Sequence, residues 1–199
     1  MKKSLFLLFL SVAAVVVHFV YFYEVEVVHA HGILAPGDPV QKDVSGGKPF
    51  MHKDFVMTPL ADFSIQARVL SRKNYYFGDE ARLCPVDMAL GWGLMSDTRI
   101  LEHLEIWQRA RFYFWKAKSL PVPPRDIQTH SSNMHLIPAN KEIEKELKSA
   151  SKGNIIQLSG KLVRVNSKKG WYWKSSMSRA DTGAGACEVV YVESFSVVK

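Results

Sequence analysis

The sequence has few of the features that identify an enzyme class. Its 199 residues include only two cysteines, Cys84 and Cys187, and these do not form a C-x-x-C motif. Internal repeats and low-complexity tracts are missing, and the glycines follow no phosphate-loop pattern. Hydrophobic residues make up 47% of the chain, which is typical of a folded protein rather than a disordered stalk.

Charge is nearly missing from residues 5–23, an apolar run in which His18 is the one ionisable residue. A helix of this length spans about 28 Å, close to the roughly 30 Å of bilayer hydrocarbon. Lys2 and Lys3 precede the run, so we expect a cytoplasmic N-terminus and an exported remainder. These features predict a single-pass protein of a bacterial inner membrane with a periplasmic C-terminal domain. A signal peptide cleaved after Ala30 is the alternative.

Acidic residues are outnumbered by basic ones. There are 26 Lys and Arg against 19 Asp and Glu, which gives a formal net charge of +7. The charges of residues 1–30 cancel, so the excess lies in the exported part and favours attraction to lipid headgroups or cell-wall polymers. Basic and aromatic residues form no nucleic-acid module, so the expected partners are the bilayer, through residues 5–23, and a protein or cell-wall partner.

The sequence predicts an α+β protein that is organised in three parts. A cytoplasmic stub and transmembrane helix occupy 1–23, a linker or extended arm rich in Gly and Pro occupies 24–57, and one periplasmic domain occupies 58–199. We expect an antiparallel sheet, with a barrel-like closure left open as one alternative, and two or three helices. Alternating or apolar stretches predict strands at 63–69, 112–115, 155–165, 171–175 and 188–198. The segment 79–94 is predicted to be a loop and a short helix that contains residues 84–90. Helical spacing and capping residues predict helices at 97–107 and 141–151.

The cysteine pair leaves three interpretations open. In an oxidising compartment Cys84 and Cys187 could form a disulfide, which would close a loop of about 100 residues and stabilise the fold by up to roughly 4–5 kcal/mol. Two buried free thiols are the second interpretation, and a reactive thiol is the third.

His130 and His135 are the first candidate ligand-binding residues. They are five positions apart, and an odd separation in a strand points two side chains to opposite faces. A joint metal site is therefore not expected, and the sequence predicts neither a metal nor a cofactor.

The loop 175–187 is the second candidate, because it is long for a strand connection and rich in Gly and Ser. Arg179 and the loop amides could hold an anion, or Arg179 could pair with Asp181. Trp171 and Trp173 share one strand face, where they could stack on a sugar or line a peptide groove. Core packing is the alternative for these tryptophans.

An N-terminal anchor followed by a mostly β domain resembles the plan of type I signal peptidases. Those enzymes place the nucleophilic serine directly before a methionine and use a lysine from a later strand as the base. Here Asn133 precedes Met134, Ser132 stands one position earlier, and Lys161 is the lysine that could act as base. This pattern supports a serine-dependent, membrane-anchored hydrolase, using Ser132 or the loop 175–181, as the alternative function.

The run ALGWGLMSD at 89–97, with Phe63 and the segment around Cys187, resembles uncharacterised membrane-anchored proteins of Gram-negative bacteria. The resemblance spans most of the exported part and implies no activity, cofactor or catalytic residue. The leading hypothesis is therefore a membrane-tethered periplasmic binding or interaction module, whose ligand is a protein partner, a cell-wall fragment or a lipid headgroup.

Overall fold

The computed structural model describes residues 26–44 and 46–198. The membrane segment predicted at 5–23 lies outside these residues. Within the part of the chain that is described, no helix is long and apolar enough to cross a membrane. The anchor therefore stays a prediction from the sequence.

The described chain is a mixed α+β fold dominated by strands. The ten strands are β1 (Val40–Asp43), β2 (Phe50–His52), β3 (Phe55–Asn74), β4 (Val86–Gly91), β5 (Leu104–Arg109), β6 (Phe112–Ala117), β7 (Ser131–Pro138), β8 (Ile155–Ser167), β9 (Tyr172–Lys174) and β10 (Glu188–Val197). The four α-helices are α1 (Gly78–Leu83), α2 (Thr98–Leu101), α3 (Pro124–Thr129) and α4 (Lys141–Ser149), and a 3-10 turn spans Gly93–Ser96.

Eight of the strands form one sheet, while β5 and β6 form a separate hairpin. In the sheet β3 pairs with β4, β4 with β7, β7 with β10 and β10 with β8, and β8 pairs in turn with β3. Only the β7–β10 pair is parallel among these five pairings. The 20-residue length of β3 allows it to pair with β8 through its first part and with β4 through its last part.

The sheet buries apolar side chains on both of its faces. On the inner face, Phe63, Ile65 and Ala67 alternate with more exposed residues, which confirms the strand predicted at 63–69. Helix α4 closes this inner cluster with Ile143 and Leu147. On the outer face a second cluster gathers residues of β3, α1, β7, β8 and β10, including Phe55, Met57, Leu83, Cys84, Ile137, Val163, Val165 and Val189.

Several predicted elements are confirmed. The strands of the last third lie where the apolar pattern placed them, and the aromatic run forms β6. Helix α4 begins as predicted, because the side chain of Asn140 accepts a hydrogen bond from the amide of Ile143 at 2.9 Å.

The short helix predicted around residues 84–90 is wrong, because helix α1 ends at Leu83. The segment Val86–Gly91 is a strand in which all six residues are buried. Burial on both faces removes the alternation that identifies a strand, so the apolar run reads equally well as helix.

The helix predicted at 97–107 is also too long. Asp97 does cap helix α2, accepting from the amide of Arg99 at 2.9 Å, but the helix ends at Leu101. Leu104 and Trp107 belong to β5 instead, where the side chains alternate between the two faces of the hairpin. The spacing of Ile100, Leu104 and Trp107 follows the helical period, whereas Leu104 and Ile106 follow the strand period of two, so this short stretch is consistent with either element.

The described part of 24–57 lies along the domain and contains β1 and β2. The amide of Val27 donates to the carbonyl of Lys152 at 2.8 Å. Ala35 is fully buried, and its carbonyl accepts from the amide of Gly93 at 2.8 Å. These contacts attach the segment to the strands and the 3-10 turn.

Gly160 provides a test of the β8–β10 crossing. A methyl group at Gly160 would lie 2.0 Å from the carbonyl oxygen of Tyr191, which is backbone and cannot move aside cheaply. We expect Gly160→Ala to lower the free energy of unfolding by about 1–3 kcal/mol or more, the usual cost of overpacking. Gly37→Ala is the control, since nothing lies within 4 Å of its added methyl group. Thermal unfolding of both variants is monitored by tryptophan fluorescence. Equal melting temperatures for the two variants would contradict this packing.

Candidate functional site

Polar side chains gather on the outer face of β4 and β7. Asp87 on β4 is the register partner of His135 on β7, and His135 is the register partner of Val189 on β10. Because side chains of a strand alternate between faces, Asn133 and Cys187, each two residues earlier on its chain, reach the same face. The strand register therefore brings together four polar residues that are far apart in the sequence.

Asp87 is the centre of this group, and its side chain is completely buried. Its Oδ1 atom lies 2.9 Å from Nη1 of Arg111 and 3.0 Å from Nδ1 of His135. A buried carboxylate is costly unless it is paired, and here a guanidinium and an imidazole supply the pairing.

Arg111 reaches Asp87 from the tip of the β5–β6 hairpin. The two residues of this tight turn, Ala110 and Arg111, have φ of 50° and 64°, in the left-handed region that favours glycine. The guanidinium carbon lies 3.8 Å from the ring centroid of Tyr75 and 5.2 Å from that of Trp173. The strained turn is therefore held in place by the ion pair and the two rings.

His135 lies between Asp87 and Cys187. Its ring stacks on Trp173, with 5.0 Å between ring centroids, and its side chain also contacts that of Cys187. Burial lowers the pKa of His135, but the contact with Asp87 and then that with Cys187 raise it more, to a net pKa of about 9. The imidazole is thus held in its protonated form between a carboxylate and a thiol.

Cys84, Asp87 and His135 have the donor atoms of a metal site, and these atoms all lie within 4.8 Å of one another. However, Nη1 of Arg111 lies 2.9 Å from Asp87 and 3.6 Å from the sulfur of Cys84, so a cation already occupies this position. Burial, followed by the nearby Asp87, raises the pKa of the Cys84 thiol well above its ordinary value. A metal would need the thiolate, so the donor set fits an arginine-centred network better than a metal ion.

A second buried carboxylate, Glu188, lies beside this network at the start of β10. Its Oε1 atom is 2.8 Å from Nε of Arg179, and the hydroxyl of Ser132 donates to Oε2. Asp181 instead accepts from the hydroxyl of Ser176 at 2.7 Å. Arg179 therefore joins the loop 175–187 to the strand through Glu188, and not through the Arg179–Asp181 pairing that the sequence left open.

Burial raises the pKa of Glu188, the nearby Arg179 lowers it, and the net pKa is about 7. Glu188 is thus a carboxyl group that titrates near neutral pH. Its ionisation changes the contact that attaches the loop to β10.

Two neighbouring cavities open onto these residues. We call the first the His135 cleft, a cavity of about 300 Å³ whose lining includes Arg111, Phe112, His135, Trp173, Lys174 and Cys187. We call the second the hairpin cleft, a cavity of about 260 Å³ lined by Phe112, Tyr113, Phe114, Trp115, Gln128, Ser131, Ser132, Asn133, Asp181, Thr182, Gly183, Ala186 and Cys187. Phe112 and Cys187 line both, so they lie where the two clefts meet.

The structure brings together some of the sequence-predicted residues and separates others. His135 and Trp173 line the His135 cleft and Asp181 lines the hairpin cleft, with Arg179 beside them on Glu188. His130 lies elsewhere, with Nδ1 2.8 Å from the carbonyl of Asp126. Trp171 packs on Phe55 in the outer apolar cluster, with 5.5 Å between ring centroids.

Cys84 and Cys187 are both free thiols in the structure, and they lie on the same polar network. The sulfur of Cys84 is 3.4 Å from Oδ1 of Asp87, while Cys187 contacts His135. The disulfide between them stays a prediction.

Asp87, Arg111, Asn133 and Glu188 were not identified from the sequence. The available signal was an acidic residue within a buried apolar run, at Asp87, and a second one at the start of β10, at Glu188. Neither residue stands next to its partner in the sequence, so only the pairing of strands reveals them.

Glu188→Gln tests the buried carboxyl group. Because the folded pKa of about 7 exceeds the ordinary 4.5, the folded protein holds more protons than the unfolded chain between these values. The contribution of protonated Glu188 to the free energy of unfolding is therefore present below pH 4.5 and lost as pH rises through 7. Over this pH range the free energy of unfolding of Glu188→Gln should fall by roughly 2–3 kcal/mol less than that of the wild type. The variant also removes the ion pair of Arg179, which lowers its stability at every pH.

The measurement is urea unfolding at several values between pH 4.5 and 8. Glu193→Gln, an exposed residue of the same strand, is the control and should keep the wild-type slope. Parallel pH profiles for wild type and Glu188→Gln would show that Glu188 does not titrate in this range.

Comparison with known proteins gives no relative for this chain. No family model matches it, and neither a curated protein nor a solved structure does. The function therefore has to be inferred from the geometry of the site.

Proposed function

We propose that the protein is a membrane-tethered module that binds a saccharide-containing cell-wall fragment in the hairpin cleft. The observation that carries the proposal is the lining of that cleft, which combines aromatic rings with neutral hydrogen-bonding groups. The tether is the apolar segment at 5–23, with the N-terminus in the cytoplasm and the described domain in the periplasm. In that location cell-wall polymers are within reach of the domain.

The composition of the hairpin cleft matches a hydroxylated ligand, since Asp181 is the one charged residue beside its aromatic and neutral polar groups. Four consecutive aromatics at 112–115 contribute to one wall, while amide and hydroxyl groups come from Gln128, Ser131, Asn133 and Thr182. Sugar rings offer apolar faces that stack on aromatic rings and hydroxyl groups that bond to amides. The residues that line the cleft include neither lysine nor arginine, which a nucleic-acid backbone requires.

The order of the strands supports a binding role at this place. We infer that the circuit of pairings through β3, β4, β7, β10 and β8 is the barrel-like closure left open by the sequence. Helix α4 lies between the third and fourth of these strands in chain order. This order resembles that of the OB fold, whose ligands contact the face of strands 2 and 3 and the loops 1–2 and 4–5.

By this analogy of fold, the binding face is the outer face of β4 and β7, flanked by the connections at 75–85 and 168–187. Both clefts open there. The topology and the cleft composition therefore support the same location independently.

A serine-dependent hydrolase has less support. The hydroxyl of Ser132 donates to Glu188, and Nζ of Lys161 lies 2.8 Å from Asp62 on the neighbouring strand β3. Each residue thus has another partner in place of the serine–lysine contact that this mechanism needs.

Phe112→Ala tests the ligand-binding proposal, because Phe112 lines both clefts and is 45% exposed. Full-length protein in nanodiscs is titrated by calorimetry with soluble disaccharide-peptide fragments of peptidoglycan. We expect the variant to bind about tenfold more weakly, which corresponds to about 1.4 kcal/mol of lost stacking.

Tyr172→Ala is the matched control, an exposed aromatic residue that contacts Arg164 and lines neither cleft. It should bind as wild type does. Absence of wild-type binding at millimolar ligand, or tighter binding of a single-stranded oligonucleotide, would overturn the proposal.

The tether has its own test. Alkaline phosphatase fused after Lys199 should be active in intact cells, because this reporter requires the oxidising periplasm, and a cytoplasmic reporter at the same position should be inactive. The fusion should sediment with membranes after a high-salt wash. The reverse reporter pattern would place the domain on the other side of the membrane.

A further inference from the structure

The contacts of Cys187 are those of a nucleophile rather than of a structural thiol. A thiol nucleophile needs a base or a cation beside it, a third group that orients the base, and access for a substrate. Cys187 contacts His135, His135 contacts Asp87, and Cys187 is partly exposed where the two clefts meet. Cys84, on the same network, is completely buried and lines neither cleft.

The histidine is oriented towards the thiol. Its Nδ1 atom lies 3.0 Å from Oδ1 of Asp87, and its side chain also contacts Cys187. Asp87 is itself held by Arg111, and Trp173 covers one face of the imidazole. The ring therefore has little freedom to turn away from the sulfur.

Asn133 places an amide donor beside the sulfur. Its Oδ1 atom accepts from Nε2 of Gln108 at 2.6 Å, so the amide nitrogen points the other way. That nitrogen donates to the carbonyl of Arg111 at 3.1 Å and lies 3.7 Å from the sulfur of Cys187. A donor at this distance from a nucleophile is suited to stabilise an oxyanion formed on the attacked carbonyl.

We propose that Cys187, His135 and Asp87 form a cysteine-dependent catalytic site that hydrolyses an acyl ester carried by the ligand of the hairpin cleft. The identity of that ligand rests on the proposed function, whereas the reactivity of the thiol does not. Because Cys187 lies between the clefts, the saccharide part occupies the hairpin cleft and the acyl group points into the His135 cleft.

The reaction has two steps, and no cofactor takes part. The thiolate of Cys187 attacks the ester carbonyl carbon, the bond from carbon to the alcohol oxygen breaks, and His135 gives its proton to that oxygen. The acyl group is then a thioester on Cys187. Water attacks the thioester carbonyl while His135 accepts a proton, and the carbon–sulfur bond breaks to give the acid and the free thiolate.

The first experiment measures the rate at which iodoacetamide alkylates Cys187 in the full-length protein, with the site identified by peptide mass spectrometry. At pH 6 we expect alkylation at least about tenfold faster than that of free cysteine, because a histidine cation beside a cysteine sulfur promotes nucleophilic attack by that sulfur. His135→Gln should slow it by about tenfold or more at this pH. His103→Gln, a histidine outside the site that contacts Ser119, should leave the rate unchanged.

The second experiment uses 4-nitrophenyl acetate as the ester. We expect a burst of 4-nitrophenol and one acetyl group on Cys187. Hydroxylamine should remove the acetyl group, and neither the burst nor the adduct should appear in Cys187→Ser. His135→Gln should lower the turnover by about 10²–10⁴-fold, the usual contribution of a general base. Circular dichroism of each variant checks that it is folded.

Each outcome bears on one proposal only. Alkylation of Cys187 no faster than free cysteine at pH 6, or fast alkylation without an acetyl adduct, would overturn the catalytic site. If Cys187 is acylated but the protein binds no disaccharide-peptide fragment, the proposal of a catalytic site stands and the proposal of a saccharide ligand is overturned.

Discussion

The buried carboxylate of Asp87 is the constraint on which the rest of the site depends. A charge completely removed from water destabilises the fold unless another charge compensates for it. Here the compensating cation, Arg111, comes from a separate hairpin, so the hairpin must pack over the sheet for Asp87 to be tolerated. The left-handed turn at Ala110 and Arg111 is accepted for the same reason, because it delivers the guanidinium.

The same requirement shapes the surface that a ligand meets. Once the hairpin lies over β4 and β7, its aromatic strand β6 forms one wall of a cleft whose other walls come from β7 and the loop 175–187. The loop is in turn attached to β10 through Arg179 and Glu188. Cys187 lies between this cleft and the one beneath Trp173, so the contacts that hold the hairpin and the loop also set the exposure of the thiol.

Local pattern was sufficient for elements with one buried face. The strand at 63–69 and the amphipathic helix α4 were predicted because each alternates between a core face and a solvent face. The pattern failed for β4, which is buried on both faces, and for β5, whose few residues fit two periodicities. In the site, residue type alone made His135 and Trp173 candidates for ligand binding. Asp87 and Arg111 were not candidates, because no short-range spacing in the sequence links these two residues.

The sequence by itself determined the elements whose periodicity is local and, through composition, an excess of positive charge beyond residue 30. It also predicts the membrane segment at 5–23. Only the tertiary structure decided which polar residues meet, because contacts between Asp87, Arg111, His135 and Cys187 are made by strand register and hairpin packing. These are long-range properties of the whole chain, and no window of the sequence contains them.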